Sequence, residues 1–291
     1  MQTKMPGQHR QDTRAFKSRT DGQQRAHQTR PEALPEIAWL EVAELKVDHS
    51  YQHPPYVGAI EQLHREYKPE WSGFILVNER ADGSLWIVDG QTRRAVHERR
   101  GLAYIRAEIL RGLTPEQEAV VYLVKCKNTQ RVPVDAFLAE YAARYPMAVL
   151  LHDLLAKRGI AVISYATEHQ AAPAKAVISC VKTLKDCLKR DEDGSILEAT
   201  LDLIVETWSY HHTSFGGNFI RLMHDLILRH GDEIDRKSFV TRLSAHSVPE
   251  LREMGRALKN ATTPALSEGK AMQRKVIELY NVGRQTRRIE L

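Results

Sequence analysis

The chain has 291 residues, 42% of them hydrophobic and 27% charged, enough to bury one large core or two smaller ones. No apolar run reaches the length of a bilayer span, and the polar N-terminus lacks the charged and apolar regions of a secretory signal, so a cytoplasmic protein that does not contact membranes is expected. Cys126, Cys180 and Cys187 form no CxxC pair, which argues against a disulfide framework.

The net charge of +5 sits in one place. Residues 1–30 carry seven Lys and Arg against Asp12 and Asp21, so the remaining chain is balanced. This Gln-, Arg- and Thr-rich stretch has few apolar residues to offset its ordering entropy, and residues 1–35 are expected to be a disordered basic tail. Such a tail either contacts phosphates without sequence preference or only solubilises.

From Glu36 the pattern changes. IAWLEVAELKVD reads as one or two strands closed by a turn at Asp48-His49-Ser50. AIEQLHREY has Ile60, Leu63, His64 and Tyr67 at helical spacing. FILV and LWIV, separated by Asp82-Gly83, predict a β-hairpin. The second strand runs through Asp89-Gly90 into a helix from Gln91 to Arg100 that stops at Gly101, and AYIRAEIL follows as a strand. Thr114-Pro115-Glu116-Gln117 is a helix start with a capping box, and two further helices follow, divided by Pro146 and ended by Gly159. From Pro173 the reading is helical almost throughout, including AKAVISCVKTLKDCLK, with turns at Asp193-Gly194, Gly216-Gly217 and Gly231. The expectation is an α+β protein: tail 1–35, an α/β domain over 36–165 and an all-α domain over 166–291.

The chemistry concentrates at WIVDGQTRRAVHERRG, Trp86 to Gly101. A helix N-terminus carries partial positive charge, so Arg93 and Arg94 in its first turn are unfavourable unless an anion binds there. Gly90 permits close backbone approach; the amides of Gln91, Thr92 and Arg93, the Thr92 hydroxyl and the guanidinium groups are donors suited to phosphate. The alternative is that Arg94 pairs with Glu98 at i,i+4 while Arg93 is solvated. Asp89 is the carboxylate beside this start, a candidate general base or metal ligand, or simply a cap.

Three short stretches in chain order, LKVDHSYQH (Leu45 to His53), SLWIVDGQTRRAVHERRGLAYIRAEIL and NTQR (Asn128 to Arg131), together resemble the ParB/sulfiredoxin superfamily. SLWIVDGQTRRAVHERRGLAYIRAEIL is similar to the superfamily's strand, Arg-rich motif, helix, Gly and strand. NTQR, Asn128 to Arg131, resembles its E-N-x-Q-R motif, and LKVDHSYQH, Leu45 to His53, its first motif. The chain as a whole, including YNVGR near the C-terminus, looks most like ParB-like proteins of phages and actinobacteria, and DGQTR is also similar to the DGQHR motif of proteins associated with DNA modification.

The resemblance implies a small α/β fold whose loops converge on a nucleotide, CTP or ATP, with Mg²⁺. Gly90, Gln91, Thr92 and Arg93 would cradle phosphate and Arg94 assist. Gln52 and His53 would come from the first motif, and Asn128, Gln130 and Arg131 would close the site, Asn128 beside the metal. The implied partners are DNA and a nucleotide, and a homodimer is one assembly compatible with the family. The implied activities are nucleotide or nucleic-acid phosphate binding in DNA transactions, with nucleotide hydrolysis or nuclease chemistry in some members, for which Asp89, by its position alone, is the catalytic candidate; alternatives are a small-molecule kinase and a non-catalytic, nucleotide-dependent regulator.

Departures weigh against parts of this. Gln91 stands where sulfiredoxins have their reactive Cys, His53 replaces an Arg, and Thr92 replaces the His of D-G-x-H-R. Lys127 replaces the motif's Glu, removing a hard oxygen ligand of the kind Mg²⁺ prefers. Elsewhere, WSYHHTSFGGNF reads as a loop whose aromatics cover the core rather than a stacking or metal site, Cys180 and Cys187 as buried structural residues, and TRLSAHSVPELREMGRAL, though of helix-turn-helix size, as a solvated helix face.

Overall fold

A computed structural model describes residues 36–125, 133–162, 174–191, 193–262, 266–286 and 288–290. The proposed tail and the NTQR motif lie outside the described residues.

The apolar runs near the N-terminus assemble one mixed sheet. Its strands are β1 (Glu36–Glu41), β2 (Lys46–Val47), β3 (Ile75–Glu79), β4 (Leu85–Asp89) and β5 (Tyr104–Arg111), in the order β1-β5-β3-β4-β2. β3 and β4 form the antiparallel hairpin read from FILV and LWIV; Gly83, at φ +79°, makes the turn, and Asp82 accepts from the Ser84 amide and hydroxyl. Near the end of the hairpin the register slips, with Val77 opposite Ile87 but Leu76 opposite Asp89. The chain then leaves the sheet as helix α2 (Gln91–Arg99), crosses over β3 and returns as β5, parallel to β3. Val42, Leu45, Ile75, Val77, Ile87, Ile105 and Ala107 form the sheet's core.

Helix α1 (Val57–Glu66) lies against α2. The His-Glu-Arg-Arg end of the DGQTRR helix makes that contact: Arg99 pairs with Glu61, Arg100 donates to the His64 carbonyl at 2.8 Å and covers the Tyr67 ring, and buried His97 bonds the Tyr67 hydroxyl and the Tyr104 carbonyl, both at 3.0 Å. Helix α3 (Pro115–Lys125) starts with the expected box: the Thr114 amide donates to Gln117 Oε1 at 2.9 Å and the Gln117 amide to Thr114 Oγ1 at 3.3 Å.

The second half is helical: α4 (Pro133–Ala142), α5 (Pro146–Ala156), α6 (Val181–Leu188), α7 (Ser195–Trp208), α8 (Gly217–His230), α9 (Arg236–Leu243), α10 (Val248–Ala261) and α11 (Glu268–Asn281). One core runs through it from Val134 to Ile289, so α4 and α5 share apolar packing with the C-terminal helices. Gly255 lets α10 and α11 close together: a Cβ there would lie 2.8 Å from Met272 Cα.

The segment AKAVISC differs from its expected helix. Ala176–Ile178 is strand β7, paired in parallel with β6 (Ile160–Val162), and the helix begins only at Val181. Buried Ala176 and Ile178 flank exposed Val177, a two-residue alternation that helical spacing obscured. β7 thus lies in the region expected to be all helix, while its partner β6 falls at the end of the expected α/β domain. Burial raises Cys180 and Cys187 to about 11, as suits inert thiols. In the Trp208–Phe219 loop, Phe215 and Phe219 are buried and Trp208 donates to the His246 carbonyl at 2.8 Å.

His224 of α8 is fully buried and neither ring nitrogen has a hydrogen-bond partner among the described residues. Burial lowers its pKa, Arg190 lowers it further, and Asp191 and Asp225 oppose. Burial also lowers that of His97, against the opposing bond to the Tyr104 carbonyl. As the pH falls below the ordinary histidine value of 6.5, the unfolded chain takes up protons that the folded one resists, so stability declines there and is unaffected by these groups at higher pH. Thermal unfolding from pH 7.5 down to 5.5 should show a falling midpoint, and H224L should flatten the fall; an equal slope in the variant would remove His224 from the explanation.

Candidate functional site

The site is built on the chain's exit from β4. Gly90 is the N-cap of α2 at φ +105°, and a Cβ there would sit 2.5 Å from Ile75 Cγ2. Glycine therefore meets two demands, a left-handed backbone and direct contact with β3. No side chain caps this helix, so its first-turn amides are left to a ligand or water.

Facing this start is the loop after β2. Gln52 is 1% exposed and donates to the Ile87 carbonyl at 2.6 Å, while its Oε1 accepts from Gln91 Nε2 at 2.6 Å. The first motif is thereby joined to the DGQTRR helix start through two glutamines. Between them opens a cavity of ≈ 300 Å³ lined by Val47, His49, Pro54, Pro55, Gln91, Arg94 and Ala95. His53 lies beside it, bonded to the Pro54 carbonyl at 2.8 Å and stacked on Tyr56.

The two arginines have different surroundings. Arg93 folds back over Gly90, donates to the Phe74 carbonyl at 2.8 Å and lies 3.8 Å from Asp89 Oδ2. Neither Arg93 nor Asp89 lines the cavity, and Thr92 does not either. Arg94 does. Its Nη2 reaches Glu98 at 3.0 Å, the i,i+4 pair read as an alternative, yet its Nε is buried without a hydrogen-bond partner among the described residues. The ion pair and an unspent donor coexist on one side chain. Asn128, Gln130 and Arg131, with Lys127, are outside the described residues, and among the described residues no group of three or more His, Cys, Asp or Glu converges as metal ligands.

A polar network, absent from the sequence reading, holds the loop in place. Glu118 of α3 is fully buried and accepts from Tyr51 at 3.1 Å, Asn78 at 2.6 Å and Arg80 at 2.8 and 2.6 Å. Arg80 also bonds Asp48 at 2.9 Å and stacks 3.8 Å over Trp86. Hydrogen bonding to Glu118 raises the guanidinium pKa against burial, and burial followed by the Glu118 charge raises that of Tyr51. For Asp48 burial acts upward, but hydrogen bonds from Ser50 and Arg80 outweigh it and the pKa is lowered. Asp48 and Tyr51 belong to the first-motif loop, so the buried Glu118 fixes both ends of the segment that carries His49 and leads to Gln52.

No protein-family model and no curated protein matches this chain. The geometry alone can say what the site does. Beside a helix start with no side-chain cap, the cavity wall carries one arginine with a buried donor unpaired among the described residues, a histidine and one amide side chain, and none of the residues lining it is acidic: a setting suited to an anion.

Proposed function

We propose that this is a ParB-like, DNA-associated protein in which the start of α2 holds a phosphate group of a nucleotide or nucleic acid. The observation that carries the reading is Arg94, a cation in the cavity wall at a helix N-terminus whose Nε has no partner among the described residues. The order of motifs along the chain supports the family; the hydrogen bond between Gln52 and Gln91 supports the convergence that the family implies. Asp89 is turned toward Arg93 rather than the cavity, so the proposal is for holding a phosphate, with CTP or ATP and duplex DNA as the ligands to try.

Calorimetric titration with CTP, ATP, GTP and short duplex DNA, with and without Mg²⁺, tests it. R94A should weaken the bound ligand at least tenfold, as expected for loss of a charge-assisted hydrogen bond of about 1.5–3 kcal/mol. R93A should act more weakly, because Arg93 holds the Phe74 carbonyl. If R94A binds every ligand as the parent does, the site is refuted. Steep weakening with salt would mark DNA as the ligand, since phosphate contacts release counterions.

A further inference from the structure

A second concave site lies in the helical half, between α8, the first turns of α10 and the start of α11. Its volume is ≈ 360 Å³, within the range of small-molecule sites. Phe219, Leu222 and Met272, all buried, form an apolar floor.

Charge around this cleft is unevenly committed. Of the two acids in the wall, Asp225 pairs with Arg190 and Glu268 with Arg256, both partners lying outside the cleft. Arg221 reaches Asp186 at 3.5 Å. Arg229, Arg252 and Lys270 have no carboxylate partner among the described residues. The fourteen-residue helix α11 adds its positive end, with Ser267 as the N-cap accepting from the Lys270 amide at 3.3 Å.

The independent pointer to a ligand is Gln273. Its side chain is 8% exposed and lines the cleft, and its amide, which makes no hydrogen bond among the described residues, opens to solvent there. A carboxamide held in a largely buried position with its polar end toward the cleft is placed to bond a ligand with a polar edge. We propose that this cleft binds a phosphorylated small molecule of about mononucleotide size: the phosphate on Arg252, Arg229, Lys270 and the α11 start, an apolar ring face over Leu222 and Met272, and a hydrogen-bonding edge on Gln273. A duplex backbone is the poorer fit, because it offers no ring to a recessed apolar floor.

The test is titration of the full chain with AMP, CMP, GMP, UMP and inorganic phosphate. At least one nucleotide should bind saturably at one site and more tightly than inorganic phosphate. R252A and Q273L should each weaken it at least tenfold, R229A should weaken it severalfold, and R94A should leave it unchanged. R229A alters an exposed side chain, which keeps the test valid if Q273L unfolds. Absence of binding by all four nucleotides overturns the proposal. So does binding lost in R94A but retained in R252A, which would assign the ligand to the α2 cavity, and so does binding of duplex DNA alone.

Discussion

Replacing Arg80 with methionine is expected to cost about 3–5 kcal/mol of stability, the usual effect of leaving one member of a buried ion pair behind. Glu118 would keep its full burial and lose two of its hydrogen bonds, while Tyr51 and Asn78 could donate but not neutralise it. Urea unfolding would read the loss directly. The double variant R80M/E118L should recover much of it, since an apolar pair removes the stranded charge. A cost below about 1 kcal/mol for R80M, the scale of surface pairs, would mean that water reaches Glu118. Because Arg80 also bonds Asp48, the same variant should loosen the first-motif loop and weaken ligand binding without touching the cavity wall.

G90A is the second large effect, at about 2–4 kcal/mol from left-handed strain together with overpacking. The methyl would fall 2.5 Å from Ile75 Cγ2, so either β3 or the α2 start has to shift. G83A is the matched comparison: its φ is +79° but nothing lies within 4 Å, leaving only the backbone term of about 1–2 kcal/mol. Equal costs for the two variants, measured by chemical unfolding, would show that contact with Ile75 is dispensable. Ligand affinity should fall in G90A alone, because Gly83 lies in the β3–β4 turn, away from the cavity.

Much of this was legible because it is local. The hairpin at Asp82-Gly83, the Thr114–Gln117 box and the glycine stop at Gly101 are each settled by residues within a few positions of one another. β7 was not, since three residues of alternation carry little signal and their partner β6 is remote in sequence. The Arg93-Arg94 pair shows the same limit at the site. The violation of helix-terminus electrostatics was visible, but which arginine faces the cavity depends on the Phe74 carbonyl, brought near by the sheet. Asn78, Arg80 and Glu118 gave no motif at all: a carboxylate on an amphipathic helix reads as solvent-facing until tertiary packing buries it.

The reach of the helical core back to Val134 bears on how the chain can be divided. Phe137, Leu151, Leu154 and Leu155 lie on the N-terminal side of residue 165 yet belong to the core completed by Leu201, Ile204 and Phe239. Ala139 of α4 in turn clusters with Tyr51 and Ala119, beside buried Glu118. A fragment ending at 165 would therefore carry an uncovered apolar face and aggregate, and one starting at 166 would open a hole where α4 and α5 belong. The helix pair is common property of both halves, so excision of either half damages the half that is kept.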